Sequence, residues 1–135
     1  MEEDRKAYVS PEARLRGFNR FVGLRFGEIS DEYCEVFCDL KEHHLNPLGY
    51  AHGGLTATLT DVAAGTMALQ ADRCAHNIVT QSCNIHYLRP GTGPYLRARA
   101  SVIRRGRRCC VVRTDCFNEE EKLCATAIYE IAYLS

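Results

Sequence analysis

The chain has 135 residues, enough for one domain with a sizeable core, and carries 17 basic against 17 acidic residues for a formal net charge of zero. That balance gives no electrostatic pull toward nucleic acid or an anionic membrane. No apolar run approaches the roughly 18 residues needed to span a bilayer.

The opening Met-Glu-Glu-Asp-Arg-Lys is acidic and polar, unlike a secretory signal or a transit peptide, so a cytoplasmic location is expected. Residues 1–9 read as a frayed terminus. Ser10-Pro11-Glu12 then starts a helix, with Ser at the cap, Pro in the first turn and an acid near the positive dipole end. Leu15, Phe18 and Val22 repeat at helical spacing, which predicts one short amphipathic helix over 11–21. From Val22 the period changes to two. Val22, Leu24 and Phe26 alternate with Gly23, Arg25 and Gly27, Ser30-Asp31 turns the chain, and Cys34, Val36, Cys38 and Leu40 mark the second strand of a hairpin.

Lys41–Tyr50 is a loop with Gly and Pro breakers, and it feeds the one long helical pattern, about Gly54–Ala71. At 100° per residue, Leu55, Leu59, Val62, Thr66 and Leu69 form one stripe and read as core. Gly54, Ala57, Thr58, Asp61, Ala64, Gly65 and Ala68 form another. This second stripe is small and apolar apart from the carboxylate at its centre, and a solvated face would carry several charges instead.

A strand follows from Asn77 to Leu88, with Val79, Gln81, Cys83, Ile85 and Tyr87 alternating against Thr80, Ser82, Asn84 and His86. Arg89-Pro90-Gly91 breaks it. Tyr95–Ile103, Cys109–Phe117 and Leu123–Tyr133 complete a meander through the basic turn Arg104–Arg108 and the acidic turn Asn118–Glu121. The layout is α+β, an antiparallel sheet of six strands with one long helix on its face. One helix cannot cover both faces of such a sheet, so self-association is expected.

The eight cysteines include no Cys-x-x-Cys pair and sit mostly at alternating strand positions, so they read as small buried apolar residues in a reducing compartment. His43, His44, His76 and His86 have no metal-ligand spacing, and no metal or cofactor is expected.

Asn46, His52-Gly53-Gly54 at the helix start, Asp61 nine residues after the His, the run Asn84-Ile85-His86-Tyr87-Leu88-Arg89-Pro90 and the hairpin Val102–Arg107 together resemble the hotdog-fold acyl-CoA thioesterases of the phenylacetic-acid-degradation (PaaI-like) type, over roughly residues 15–133. The resemblance implies a hotdog fold, with the sheet wrapped around the central helix, and hydrolysis of acyl-CoA thioesters.

Independently of it, thioester hydrolysis needs an activated nucleophile and an oxyanion donor. Backbone N–H groups at the helix start supply the second, and Gly53-Gly54 lets a ligand approach them closely. Asp61 supplies a general base or a nucleophile. Nine helical residues put His52 and Asp61 roughly 13 Å apart, so either one of them is not catalytic or the site is shared between subunits. In the resembling family the site is composite. By position, the resemblance makes Asp61 the catalytic acid and Gly53 the N–H donor to the thioester oxygen. Asn46 polarises the carbonyl or places water, His52 orients the loop or substrate, and Thr80 steadies the lytic water. Gly54, Asn84, Arg89, Arg104 and Arg107 fall to substrate and coenzyme A, whose phosphates suit arginine. Asn46 also fits a plain turn, and the Arg104–Arg108 run a solvated hairpin. Coenzyme A enters as part of the substrate, not as a cofactor. A homodimer is the minimum, and the resemblance implies a homotetramer. Two other readings use the same fold. One is a non-catalytic acyl-CoA-binding or regulatory protein; the other is a dehydratase, which needs a different His and acid arrangement.

Overall fold

The computed structural model describes residues 11–72 and 76–134. The expected Ser10 cap, the terminus 1–9 and Cys74 lie outside them.

Where one N-terminal helix was expected, there are two: α1, Pro11–Arg14, and α2, Gly17–Val22. The break falls at Leu15-Arg16, and Gly17 takes φ +55°, a left-handed conformation that glycine adopts without strain. Gly23 at φ 87° closes α2 and turns the chain into β1, Leu24–Ile29. β2 is Cys34–Asp39. Gly27 of β1 lies against Phe37 of β2, where an added Cβ would come within 2.6 Å of the ring. After a 3-10 turn at Glu42–His44 comes α3, Gly53–Ala71, then β3, Asn77–Tyr87, β4, Tyr95–Arg105, β5, Cys109–Asn118, and β6, Leu123–Leu134.

The sheet is antiparallel throughout, in the order β1-β2-β4-β5-β6-β3. It curls around α3, as the expected fold requires. The inward strand positions, among them Val36, Cys38, Leu96, Ala98, Val112, Ala127, Tyr129 and Ile131, are almost fully buried.

The stripe of α3 projected as core is buried at Leu55, Leu59, Thr66 and Leu69 and half-buried at Val62, and Val62, Thr66 and Leu69 also line a cavity beside Asp61. Thr56, Thr60, Ala63 and Met67 widen the buried face beyond that stripe. Two hydroxyls add polar contacts to it. Tyr129 and Thr60 share a hydrogen bond of 2.7 Å, and Tyr129 Oη also donates to the Ala57 carbonyl at 3.1 Å. Threonine thereby satisfies its polar atom within the core. The first stripe is thus part core and part cavity wall.

The alternation in β3 also breaks. Thr80 pairs with Ile131 and Ser82 with Glu130, leaving Gln81 as a bulge. The extra residue puts Thr80 on the same, helix-facing side as Cys83, Ile85 and Tyr87, where strict alternation had put it on the opposite face. Cys83 is exposed on this edge strand, against the expectation of burial; Cys34, Cys38, Cys110, Cys116 and Cys124 are buried and unbridged.

The outer face of the sheet is polar. Arg97 bonds Glu35 at 2.6 Å, and Arg25, Arg97 and Arg99 stack over Phe37, Phe117 and Tyr33.

Candidate active site

Asp61 sits at mid-helix, partly buried, and opens into a cavity of about 710 Å³. Thr80 Oγ1 donates to Asp61 Oδ1 at 2.6 Å across the gap between α3 and β3. Burial pushes the Asp61 carboxyl above the usual carboxylate range, and the Thr80 hydrogen bond pulls the other way. No arginine or lysine among the described residues bonds it. A carboxylate desolvated in this way is a stronger base and nucleophile than one in water, and the threonine hydroxyl fixes its orientation.

The loop before α3 is organised by Asn46. Its Oδ1 accepts from Leu48 N at 3.0 Å and Tyr50 N at 3.1 Å, so it is a turn residue. Its side-chain amide nitrogen has no acceptor among the described residues, and Asn46 also lines a second, smaller cavity of about 310 Å³ with Gly53, Tyr87 and Arg89. His52 is the N-cap of α3, with Nδ1 accepting from Gly54 N at 2.8 Å. Nδ1 therefore carries no proton in this arrangement. The cap occupies the Gly54 N–H, while the Gly53 N–H has no acceptor among the described residues, as first-turn amides of a helix do. Of the two glycines, Gly53 is the available donor.

Tyr87 was not singled out from sequence, although it alternates with Cys83 and Ile85 and so marks the helix-facing side. Its hydroxyl donates to the Gly53 carbonyl at 3.0 Å, and its ring lies within van der Waals reach of where a Gly53 Cβ would stand.

The ten candidate residues therefore fall into separate groups. Asn46, His52, Gly53, Gly54 and Arg89 gather at the start of α3, and Arg89 donates to the Leu123 carbonyl at 3.2 Å. Asp61 and Thr80 line the other cavity. Arg104 and Arg107 are exposed at the far end of the sheet from Arg89. Arg105 pairs with Cys110 and Leu123 with Phe117, about 23 Å apart along β5. Arg105 itself turns inward to bond Asp72 at 3.1 Å, taking one arginine out of the basic turn. Asn84 alternates with Cys83 and Ile85 and lies on the outer face of β3, away from both cavities.

A curled antiparallel sheet around a central helix that opens on His-Gly-Gly defines a hotdog-fold protein. The sequence profile of the thioesterase superfamily matches residues 48–125. Human acyl-coenzyme A thioesterase 13 is 30% identical over 122 residues, covering 88% of this chain and 86% of that protein. The medium/long-chain acyl-CoA thioesterase YigI of Escherichia coli K12 is 27% identical over 127 residues, covering 82% and 81%. The solved structure of the E. coli PaaI protein from the phenylacetic acid degradation operon superposes with a TM-score of 0.79 at 22% identity, over 86% of this chain and 83% of that one, a likeness of fold. The chain belongs to the thioesterase superfamily. It is a thioester hydrolase.

Proposed function

We propose that this chain hydrolyses acyl-CoA thioesters to free acid and coenzyme A, in a site shared between two subunits. Asp61 of one subunit either activates water or attacks the carbonyl itself. In both routes the C–S bond breaks, the carbonyl carbon gains an oxygen that comes finally from water, and the coenzyme A thiolate leaves and takes up a proton. The Gly53 N–H of the other subunit stabilises the oxyanion, with the α3 dipole behind it. Asn46 Nδ2 polarises the carbonyl or positions water, His52 holds the loop through its cap, and Thr80 orients the Asp61 carboxylate and the water.

One observation carries the shared site: Asp61 and Gly53 lie on one helix but open into different cavities. β3, which links the two groups, is an edge strand with exposed Val79 and Tyr87, followed by exposed Leu88, suited to pairing with a second copy. Pairing of two copies through this edge brings the Arg104–Arg107 turn of one toward the Arg89 end of the other, so that basic groups from both face the phosphates of coenzyme A. Gly54 gives the ligand close backbone approach. A homodimer is the working unit, a homotetramer the proposed assembly and the cytoplasm the proposed location. Buried unbridged cysteines fit its reducing conditions.

Free-thiol release from a panel of acyl-CoAs tests the reading. Asp61→Asn is expected to lower kcat by about 10³-fold or more with an unchanged circular dichroism spectrum. Wild-type turnover in that variant would falsify the mechanism. Thermal stabilisation by acyl-CoA without thiol release would instead show a binding protein.

A further inference from the structure

The peptide that joins Gly53 to Gly54 is held at both ends by side chains. Its carbonyl oxygen, on Gly53, accepts from Tyr87 Oη at 3.0 Å. Its N–H, on Gly54, donates to His52 Nδ1 at 2.8 Å. The phenol polarises the carbonyl and so strengthens the N–H as a donor; the two bonds support each other. Two adjacent glycines have no side chains to limit their rotation, and the clamp supplies stiffness from outside.

The clamp acts on the neighbouring peptide, which carries the Gly53 N–H. The His52 cap closes a ring of atoms from the His52 Cα, through Gly53 to the Gly54 N–H, and back through the imidazole. The His52–Gly53 peptide lies inside that ring. With the Gly53–Gly54 plane pinned by Tyr87, little rotation is left about Gly53, and its N–H keeps one direction. An oxyanion donor aimed before the substrate arrives needs no reorganisation during the reaction.

The hydroxyl of Tyr87, more than its ring, carries this effect. A Cβ at position 53 would stand 3.6 Å from the ring, an ordinary contact, so the ring does not crowd the glycine. The phenol has one proton and gives it to the Gly53 carbonyl, so Tyr87 does not itself serve an oxyanion. Burial, with a smaller effect of Cys83, pushes the phenol above its ordinary range, which keeps it a donor at neutral pH. Tyr87 lines the same smaller cavity as Asn46, Gly53 and Arg89.

We infer that Tyr87 is a positioning residue for thioester hydrolysis: through the Gly53 carbonyl it holds the Gly53 N–H in line with the developing oxyanion. This rests on the reading of Gly53 as the oxyanion donor.

The experiment measures thiol release from acetyl-, octanoyl- and phenylacetyl-CoA by wild type, Tyr87→Phe, His52→Ala and the double variant, with a melting curve for each. Tyr87 is 56% exposed, so loss of its hydroxyl leaves the core intact. Tyr87→Phe should lower kcat by about tenfold, less than outright removal of an oxyanion donor. KM should stay within about twofold, because the bond acts in the transition state and not on bound substrate. The acid limb of the pH–rate profile should not move, since Tyr87 acts on a group other than Asp61. In the His52→Ala background, where one end of the clamp is already open, Tyr87→Phe should change kcat by less than about twofold. An unchanged kcat in Tyr87→Phe, a raised KM with kcat kept, or losses that multiply in the double variant overturn the inference. So does a kcat loss accompanied by a melting temperature lower by more than about 5 °C, which marks a helix start that has come apart. In each of these cases Asp61→Asn still abolishes turnover and the hydrolase reading survives. A wild type that releases thiol from none of the three substrates overturns both.

Discussion

Asp61 is costly where it stands. An acid whose pKa is raised in the folded state binds its proton more tightly there than in the unfolded chain. The folded state then holds more protons in the window between the two pKa values. Stability accordingly falls as pH rises from the ordinary aspartate range through the raised one. Asp61→Asn removes the buried charge, so it should unfold at a higher temperature than wild type at neutral pH. The gain should disappear at a pH low enough to protonate the carboxyl in both states; a variant melting below wild type at neutral pH refutes the argument. Under the proposed mechanism the same residue sets the acid limb of the pH–rate profile, because only an ionised carboxylate acts as base or nucleophile. Thr80 is the hydrogen bond that opposes the upward shift. Thr80→Val keeps the shape and removes the donor, so the acid limb should move to higher pH, read from kcat against pH. An unmoved limb means that Thr80 leaves the ionisation of Asp61 untouched. The sequence exposed Asp61 as a lone acid on a small-residue stripe. It did not expose the Thr80 contact, because that contact depends on one unpaired residue, Gln81.

Among the elements, α3 is held by polar as well as apolar contacts, which explains why a hydrophobic projection found part of its buried face but not Thr56 and Thr60. Its periodic residues gave its length to within one residue at the start. Its rotation is fixed by Thr56, Thr60 and Met67 facing the sheet, and by Tyr129, a β6 residue 69 positions after Thr60. A pairing that distant leaves no local pattern. Tyr129→Phe retains the ring and loses the hydroxyl that bridges Thr60 and the Ala57 carbonyl. A loss of about 1–2 kcal/mol follows, or a melting temperature lower by about 5 °C, since Thr60 still bonds the Thr56 carbonyl at 3.0 Å. No shift in the melting curve would show that shape alone anchors the helix. The strands were legible because long runs of their inner faces alternate, as at Leu96, Ala98 and Ala100, even where a bulge interrupts them, as in β3. The N-terminal helix was not, because the freedom of Gly17 to take a positive φ leaves no trace in a 3.6-residue repeat.

At the scale of the whole molecule, the wrap of the sheet around α3 sends the two ends of the helix's functional surface into different cavities. The loop-and-glycine group at the start of α3 and the carboxylate at its middle then act in different sites of one dimer, provided that two copies meet through β3. Subunit mixing tests this directly. Asp61→Asn removes the acid from both sites of a homodimer, and Asn46→Ala removes the amide from both. In a mixed dimer, one site receives both defects and the other receives neither. If each homodimer is nearly inactive, random reassortment of equal amounts, by unfolding and refolding together, should restore about a quarter of wild-type activity: half the dimers are mixed and each carries one intact site of two. If each site is built from one chain, every site in the mixture carries a defect and nothing is recovered. The same geometry bears on the free edge. Cys83→Pro removes a β3 backbone donor that points away from β6 toward the free edge, which is tolerable at an exposed edge but not inside a continuous sheet. Gel filtration should then show a monomer with the circular dichroism of the folded chain, and thiol release should fall with the dimer. A monomer that keeps full activity would place the whole site within one subunit and return Gly53 or Asp61 to a structural role.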